Sequence, residues 1–211
     1  MLYLVRHGVT VWGEGGRIQG HSDAPLSEEG RRQAETAARR LRALGPFDAL
    51  YSSDLGRALE TARAVAREVG LPVSTDRRLR ELHFGQFEGL TAEEAELLDP
   101  RAFRAWREDP VRNRPPGGET LQSLLSRVSE FVEEAGRRHP EGKVVAVSHG
   151  GPIRAAVILA LGLELESSWR RVYVQWGSIT AIEFPPDGPP VLRLFNDTCH
   201  IERESQRWGR G

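Results

Sequence analysis

The sequence predicts an α/β fold, a three-layer sandwich in which helices flank a mostly parallel central sheet, and three observations carry that expectation. Strand-like and helical stretches alternate through most of the 211 residues, the order that builds a parallel sheet with helices on both faces. The runs LYLV (2–5) and VVAV (144–147) are apolar without a polar face, as central strands covered on both sides are. A content of 39% apolar residues over this length fits one sizeable core. Residues 1–203 therefore read as a single domain, with 204–211 as a flexible tail.

The first strand spans 2–6. A helix follows from about Ser27, a hydroxyl N-cap with Glu28 and Glu29 in the first turn, to Leu44. FDALYSS at 47–53 is the next strand. It leads into a helix over 55–69, whose Leu55, Leu59, Ala62, Ala66 and Val69 repeat at helical spacing until Gly70 and Pro72 end it. Helical patterns near 91–108 and 119–138 come next, then the most apolar strand, KVVAVS at 143–148, and a helix from Pro152 to Leu161. Proline suits a first helical turn. Segments near 172–176, 179–184 and 191–195 read as closing strands.

A formal net charge of −1 offers no broad grip on nucleic acid or on an acidic membrane surface. No apolar run approaches the ~20 residues of a membrane span, and the one before Arg6 is too short for a signal peptide, so the expected location is the cytoplasm. The only cysteine, Cys199, leaves no internal disulfide and no multi-cysteine metal site. Lys143 is the only lysine and is followed by Val144 rather than Ser or Thr, which excludes a P-loop. Phosphate chemistry in this chain would have to rest on arginine.

Two strand ends carry groups that make poor strand material: Arg6, His7 and Gly8 after the first, and Ser148, His149 and Gly150 at the 143–148 strand. A third strand, ending in YSSD, runs into a helix with Arg57 in its first turn. Ligands of such sheets bind beyond the carboxyl ends of the strands. If these strands are neighbours, two imidazoles and two guanidiniums face one small volume. That cluster calls for an anion, and a phosphate matches both guanidinium forks and the free N–H groups of helix starts. Gly8, Gly150 and Gly151 would let the backbone approach it, and Pro152 would start a helix aimed at it. The bland alternative for Arg57 is a pair with Asp54 or Glu60 on its own helix.

LVRHG (4–8) is followed in order by GHSDAPLSEEGRRQAE (20–35), YSSDLGRALETA (51–62), RELHFGQFEGLT (80–91), PPGGET (115–120), VSHGGPIRA (147–155) and FNDTCHI (195–201). These blocks resemble the histidine phosphatase superfamily, the phosphoglycerate mutase-like family, over most of the chain. The resemblance implies a phosphoryl-transfer enzyme in which His7 becomes phosphorylated, Arg6, Arg57 and His149 hold the phosphoryl oxygens, and Glu81 handles the proton. Chemistry agrees with each role. A neutral imidazole is a competent nucleophile, and fixed arginines stabilise charge spread over equatorial oxygens without accepting a proton. A carboxyl beside a dianion is drawn toward the neutral form that can protonate a leaving oxygen. Further substrate-binding candidates are Thr10, Gln19, Gly20 and Gly150. His21 lies where it could reach substrate, and Trp12, Phe84, Phe87 and Trp106 could line a specificity pocket, with core packing the default for scattered aromatics.

Two departures separate the chain from the mutase branch. Cofactor-dependent mutases usually carry asparagine where Gly13 stands, and EGLTAEEAELLD has neither their lysine nor their RRSYD-type segment. FEGLT and LFNDTCHI look instead like the broad-specificity phosphatase and alpha-ribazole phosphatase branches. The implied activity is a metal-independent phosphomonoesterase that acts on a small phosphorylated metabolite and needs no cofactor. A mutase-type isomerase and a non-catalytic phosphate-binding module are the alternatives. No nucleic acid or membrane partner is expected, and a homodimer is left open.

Overall fold

The computed structural model describes residues 1–201, so the tail expected at 204–211 lies outside the described residues. In chain order the elements are β1 (Leu2–Arg6), α1 (Val11–Glu14), α2 (Glu28–Leu44), β2 (Ala49–Ser52), α3 (Gly56–Val69), β3 (Val73–Thr75), α4 (Ala92–Leu98), α5 (Pro100–Glu108), α6 (Leu121–Arg138), β4 (Val144–Ser148), α7 (Gly150–Ala160), α8 (Leu165–Ser168), β5 (Ile179–Glu183) and β6 (Val191–Asp197). The strands form one sheet in the order β3-β2-β4-β1-β5-β6. β3, β2, β4 and β1 run parallel, whereas β5 and β6 are antiparallel additions at one edge. The mostly parallel, helix-flanked sandwich expected from the sequence is the fold observed.

Successive side chains of a strand point to opposite faces, and here both faces are covered. Leu2, Leu4, Val144 and Ala146 pack with Leu124 and Phe131 of α6 and Ile153 of α7. Tyr3, Val5, Val145 and Val147 pack with Ala37 and Leu41 of α2 and Ala58 and Val65 of α3. This two-sided burial is the reason residues 2–5 of β1 and 144–147 of β4 carry no polar face. The capping signals hold as well: Ser27 Oγ accepts from Gly30 N at 3.1 Å, and Gly70, at φ 73°, ends α3 in the left-handed region. Among the described residues no helix is long and apolar enough to cross a membrane.

Several expectations need correction. The pattern over 91–108 is two helices, because Asp99 leaves helical geometry and then caps α5 by accepting from Ala102 N at 2.9 Å, with Pro100 in the first helical position. Residues 172–176 are not a strand. Arg6 takes the carbonyl of Val174 and Asn196 Oδ1 takes the N–H of Gln175, so side chains occupy the backbone groups that a ladder would use. The helix expected from Pro152 starts two residues earlier, at Gly150. The side-chain direction of Gly8 is filled by α2: a side chain there would overlap the backbone of Gly30, and one at Gly30 would overlap the carbonyl of Val9, so this glycine pair lets α2 close on the end of β1.

Candidate active site

Because β2, β4 and β1 are consecutive in the sheet, the segments that leave their carboxyl ends meet. His7 follows β1, His149 follows β4, and Arg57 sits in the first turn of α3, which follows β2. The two imidazoles are buried, 5.0 Å apart between ring centres and edge to face. His7 Nδ1 lies 2.7 Å from the carbonyl oxygen of Gly8. A carbonyl can only accept, so the proton resides on Nδ1 and Nε2 keeps its lone pair. Burial, and then the charges of Arg57 and Arg6, hold His7 well below the usual histidine range. His149 is held down in the same way, by burial first and then by Arg57, His7 and Arg6. Its Nε2 is 2.8 Å from Ser53 Oγ, while Nδ1 is buried with no protein partner.

Arg57 is only 1% exposed. Its guanidinium donates to the carbonyls of Gly20 (2.6 Å) and Ser22 (3.0 Å) and to Asp23 Oδ1 (3.3 Å). Asp54 and Glu60, its alternative partners, instead pair with Arg80 and Arg31. Asp23 also accepts from the backbone N–H groups of Gly56 and Arg57, so one carboxylate caps α3 and orients the arginine. Arg6 lies over the ring of Trp176 at 4.6 Å and against Gly150. Burial brings its pKa down to about 10, which still leaves it cationic at neutral pH. Nε of both arginines is buried without a hydrogen-bond partner. Buried donors normally find acceptors. Two guanidinium Nε–H groups left without one are donors that an anion could satisfy.

Glu81 stands beside this cluster at the start of α7, where its carboxylate accepts from Leu82 N (2.8 Å) and Gly151 N (3.0 Å). A side chain at position 151 would overlap that carboxylate. The Glu81 carbonyl accepts from His21 Nε2 and Arg127 Nη2, each at 2.9 Å, and Arg127 is itself clamped by Glu119. Gly20, at φ 57°, passes against Glu88. The Glu88 carboxylate collects the N–H groups of His21, Ser22 and Phe84, which ties down the loop that presents two carbonyls to Arg57. Thr10 is buried and its Oγ1 accepts from Gly13 N at 2.9 Å, capping α1. Gln19 Oε1 is buried without a partner. Trp12 packs beside Gly89. Phe87 is core, while Phe84 and Trp106, 5.6 Å apart between rings, form a wall of a cleft of about 410 Å³ that opens from Arg6, Glu81 and Gly150. Among the described residues no group of three or more His, Cys, Asp or Glu side chains is placed to hold a metal ion.

The sequence profile of the histidine phosphatase superfamily (branch 1) matches residues 2–198. The chain belongs to the histidine phosphatase superfamily. It is 37% identical over 200 residues to phosphoserine phosphatase 1 of Hydrogenobacter thermophilus, covering 95% of this chain and 93% of that one. It is 40% identical over 173 residues to glucosyl-3-phosphoglycerate phosphatase of Mycolicibacterium vanbaalenii, covering 79% and 76%. The solved structure of YhfR from Bacillus stearothermophilus superposes with a TM-score of 0.88 at 36% identity, over 95% of this chain and 98% of that one. The family and the two named phosphatases place this chain among the phosphoric monoester hydrolases.

In this histidine phosphatase the structure also brings to the site residues that sequence reasoning passed over. Ser53 meets His149 and Arg127 meets the Glu81 backbone, while Glu88, from the sequence an alternative carboxylate for the acid's role, instead ties the 20–22 loop. Trp176 underlies Arg6, and Arg154 lines the cleft. Ser53, Glu88 and Arg154 each sit inside a block that resembles the family, and that position was the available signal. Trp176 and Arg127 lie outside every block and carried none.

Proposed function

We propose that this histidine phosphatase hydrolyses phosphomonoesters of small metabolites through a phosphohistidine on His7, without a metal ion. The observation that supports this reading most directly is His7 itself, a neutral imidazole whose Nδ1–H is tied to Gly8 and whose Nε2 is free. Nε2 attacks phosphorus and the bond to the ester oxygen breaks. Arg6, Arg57 and His149 hold the three equatorial oxygens, where charge develops, and Glu81 gives the leaving oxygen its proton. Glu81, now a carboxylate, takes a proton from water as that water attacks the phosphohistidine. Inorganic phosphate leaves, and His7 and Glu81 return to their starting forms.

Gly20 contributes through the carbonyl that holds Arg57, and Gly150 through its place at the N-terminus of α7. Thr10 and Gln19 flank the substrate from the loop after β1. The substrate is a small metabolite, the class to which phosphoserine and glucosyl-3-phosphoglycerate belong, and the enzyme works in the cytoplasm rather than on nucleic acid. Rapid quenching of the enzyme with labelled ester, in the presence of a chelator, tests the reading. Acid-labile, base-stable phosphate is expected on His7, and His7→Ala should abolish turnover while the fold persists. Label on another residue, or an alanine variant that keeps most of its activity, would overturn it.

A further inference from the structure

Many arginines of this protein pair with a carboxylate: Arg17 with Glu94, Arg78 with Asp76, Arg80 with Asp54 and Arg127 with Glu119. Arg154 is different. It lines the cleft that leaves the phosphate position past Glu81 and Gly151. Its guanidinium lies over the indole of Trp169, 4.7 Å from the ring centre, and its Nε is buried with no hydrogen-bond partner. Glu81 is the acidic group whose charge reaches it, and that carboxylate is already engaged by two backbone N–H groups. Arg107 and Arg170 stand exposed at the rim of the same cleft and add positive charge there. Phe84 and Trp106 supply an apolar wall.

The spacing is as informative as the charge. Gly150 and Gly151 lie against Arg6 and Glu81, and Arg154 follows them on the same helix by one turn, about 5 Å of rise. A planar fork stacked on an indole is held in place before any ligand arrives, and its geometry matches a carboxylate in a way that it does not match a hydroxyl or an ammonium. We propose that the cleft selects phosphomonoesters carrying a carboxylate a few bonds from the ester oxygen, and that Arg154 is the specificity-determining residue that binds it. The proposal rests on the phosphatase reading above and names the substrate class of that site.

Matched pairs of esters test it: O-phosphoserine against O-phosphoethanolamine, and 3-phosphoglycerate against glycerol 3-phosphate, with nitrophenyl phosphate reporting the basic reaction. In the wild type, kcat/KM should be about 10- to 100-fold higher for the carboxylated member of each pair, the scale of a charge-assisted hydrogen bond. Arg154→Met keeps the apolar stem and removes the fork, so the ratio should collapse to near one, mainly through KM. Arg154→Lys should restore part of it, since it keeps charge without the fork. Turnover of the esters without a carboxylate reports whether each variant has folded, and Arg154→Gln serves the same comparison should the methionine variant fail to fold. A wild-type ratio near one, an unchanged ratio in the variants, or a preference for a second phosphate over a carboxylate would overturn the proposal while the phosphatase reading stands. Absence of phosphate release from every ester, nitrophenyl phosphate included, would instead overturn the reading on which it rests.

Discussion

Glu81 Oε1 accepts from the N–H groups of Leu82 and Gly151, and its backbone carbonyl is pinned by His21 and Arg127, so the side chain has a defined place beside the cluster of cations. Position alone does not separate a proton donor from a wall of the pocket, but leaving groups do. An alkoxide needs a proton in the transition state, whereas nitrophenolate departs without one. Glu81→Gln keeps the size and an acceptor for both N–H groups and removes the acid. In single-turnover phosphorylation of His7 the variant should lose about 10²–10⁴-fold with an alkyl phosphate and far less with nitrophenyl phosphate. The measurement must isolate the first step, because the same residue serves as base in the second and steady-state rates would blend the two. Equal losses for both leaving groups would remove Glu81 from the acid's role. The residue types at this site were legible in sequence because two strands end in the same unusual pair of groups. Arg154 was not, since an arginine on a helix face is by default a solvated charge, and only the structure shows that this one lines the cleft with its Nε buried and without a hydrogen-bond partner.

Helix starts decide how tightly these side chains can be drawn together, and glycines at two of them do different jobs. At the start of α2, Gly30 and Gly8 are in backbone contact, so a methyl at either position meets main chain that cannot swing aside. At the start of α7, a methyl at position 151 meets the far end of the Glu81 side chain, which can. Gly8→Ala should therefore cost stability, about 1–3 kcal/mol or more as overpacking does, read as a lowered denaturation midpoint. Gly151→Ala should leave the midpoint nearly unchanged but displace Glu81, with turnover of alkyl phosphates falling more than turnover of nitrophenyl phosphate. A Gly151→Ala enzyme as active on alkyl phosphates as the wild type would show that Glu81 does not depend on this contact. The same scale shows where the sequence misleads. Val172, Tyr173 and Val174 carry strand propensity, yet Arg6 and Asn196 take the backbone groups of Val174 and Gln175, so tertiary contacts turn that segment into a support for the site. Asp99-Pro100 splits what periodicity joins, because a cap and a first-turn proline can end one helix and begin another within two residues.

At the scale of the whole molecule, the order β2-β4-β1 gathers two buried neutral histidines and two buried guanidiniums at one edge of the sheet, and that arrangement ties global stability to pH. His7 and His149 are held well below the value of 6.5 that an unfolded chain would show, chiefly by burial. His21 is held down by burial as well. Between their folded values and about 6.5 the unfolded chain binds protons that the folded chain refuses, so stability rises with pH across this window and falls as pH drops from about 7 toward 5. Each of the two buried residues can contribute up to about 1.4 kcal/mol per pH unit there. Carboxylates held low by their partners, such as Asp54 beside Arg80 and Glu119 beside Arg127, act in the same direction but only below about pH 4–5, where unfolded carboxyls begin to take up protons. The two effects are thus separable. Denaturant midpoints measured in buffers free of phosphate should decline between about pH 7 and pH 5, and His149→Asn should flatten that decline. Saturating inorganic phosphate should flatten it in part, because an anion between Arg6 and Arg57 offsets the share of the depression that the arginine charges add to burial. A decline of equal slope in the wild type, in His149→Asn and in the phosphate complex would place the pH sensitivity elsewhere in the fold.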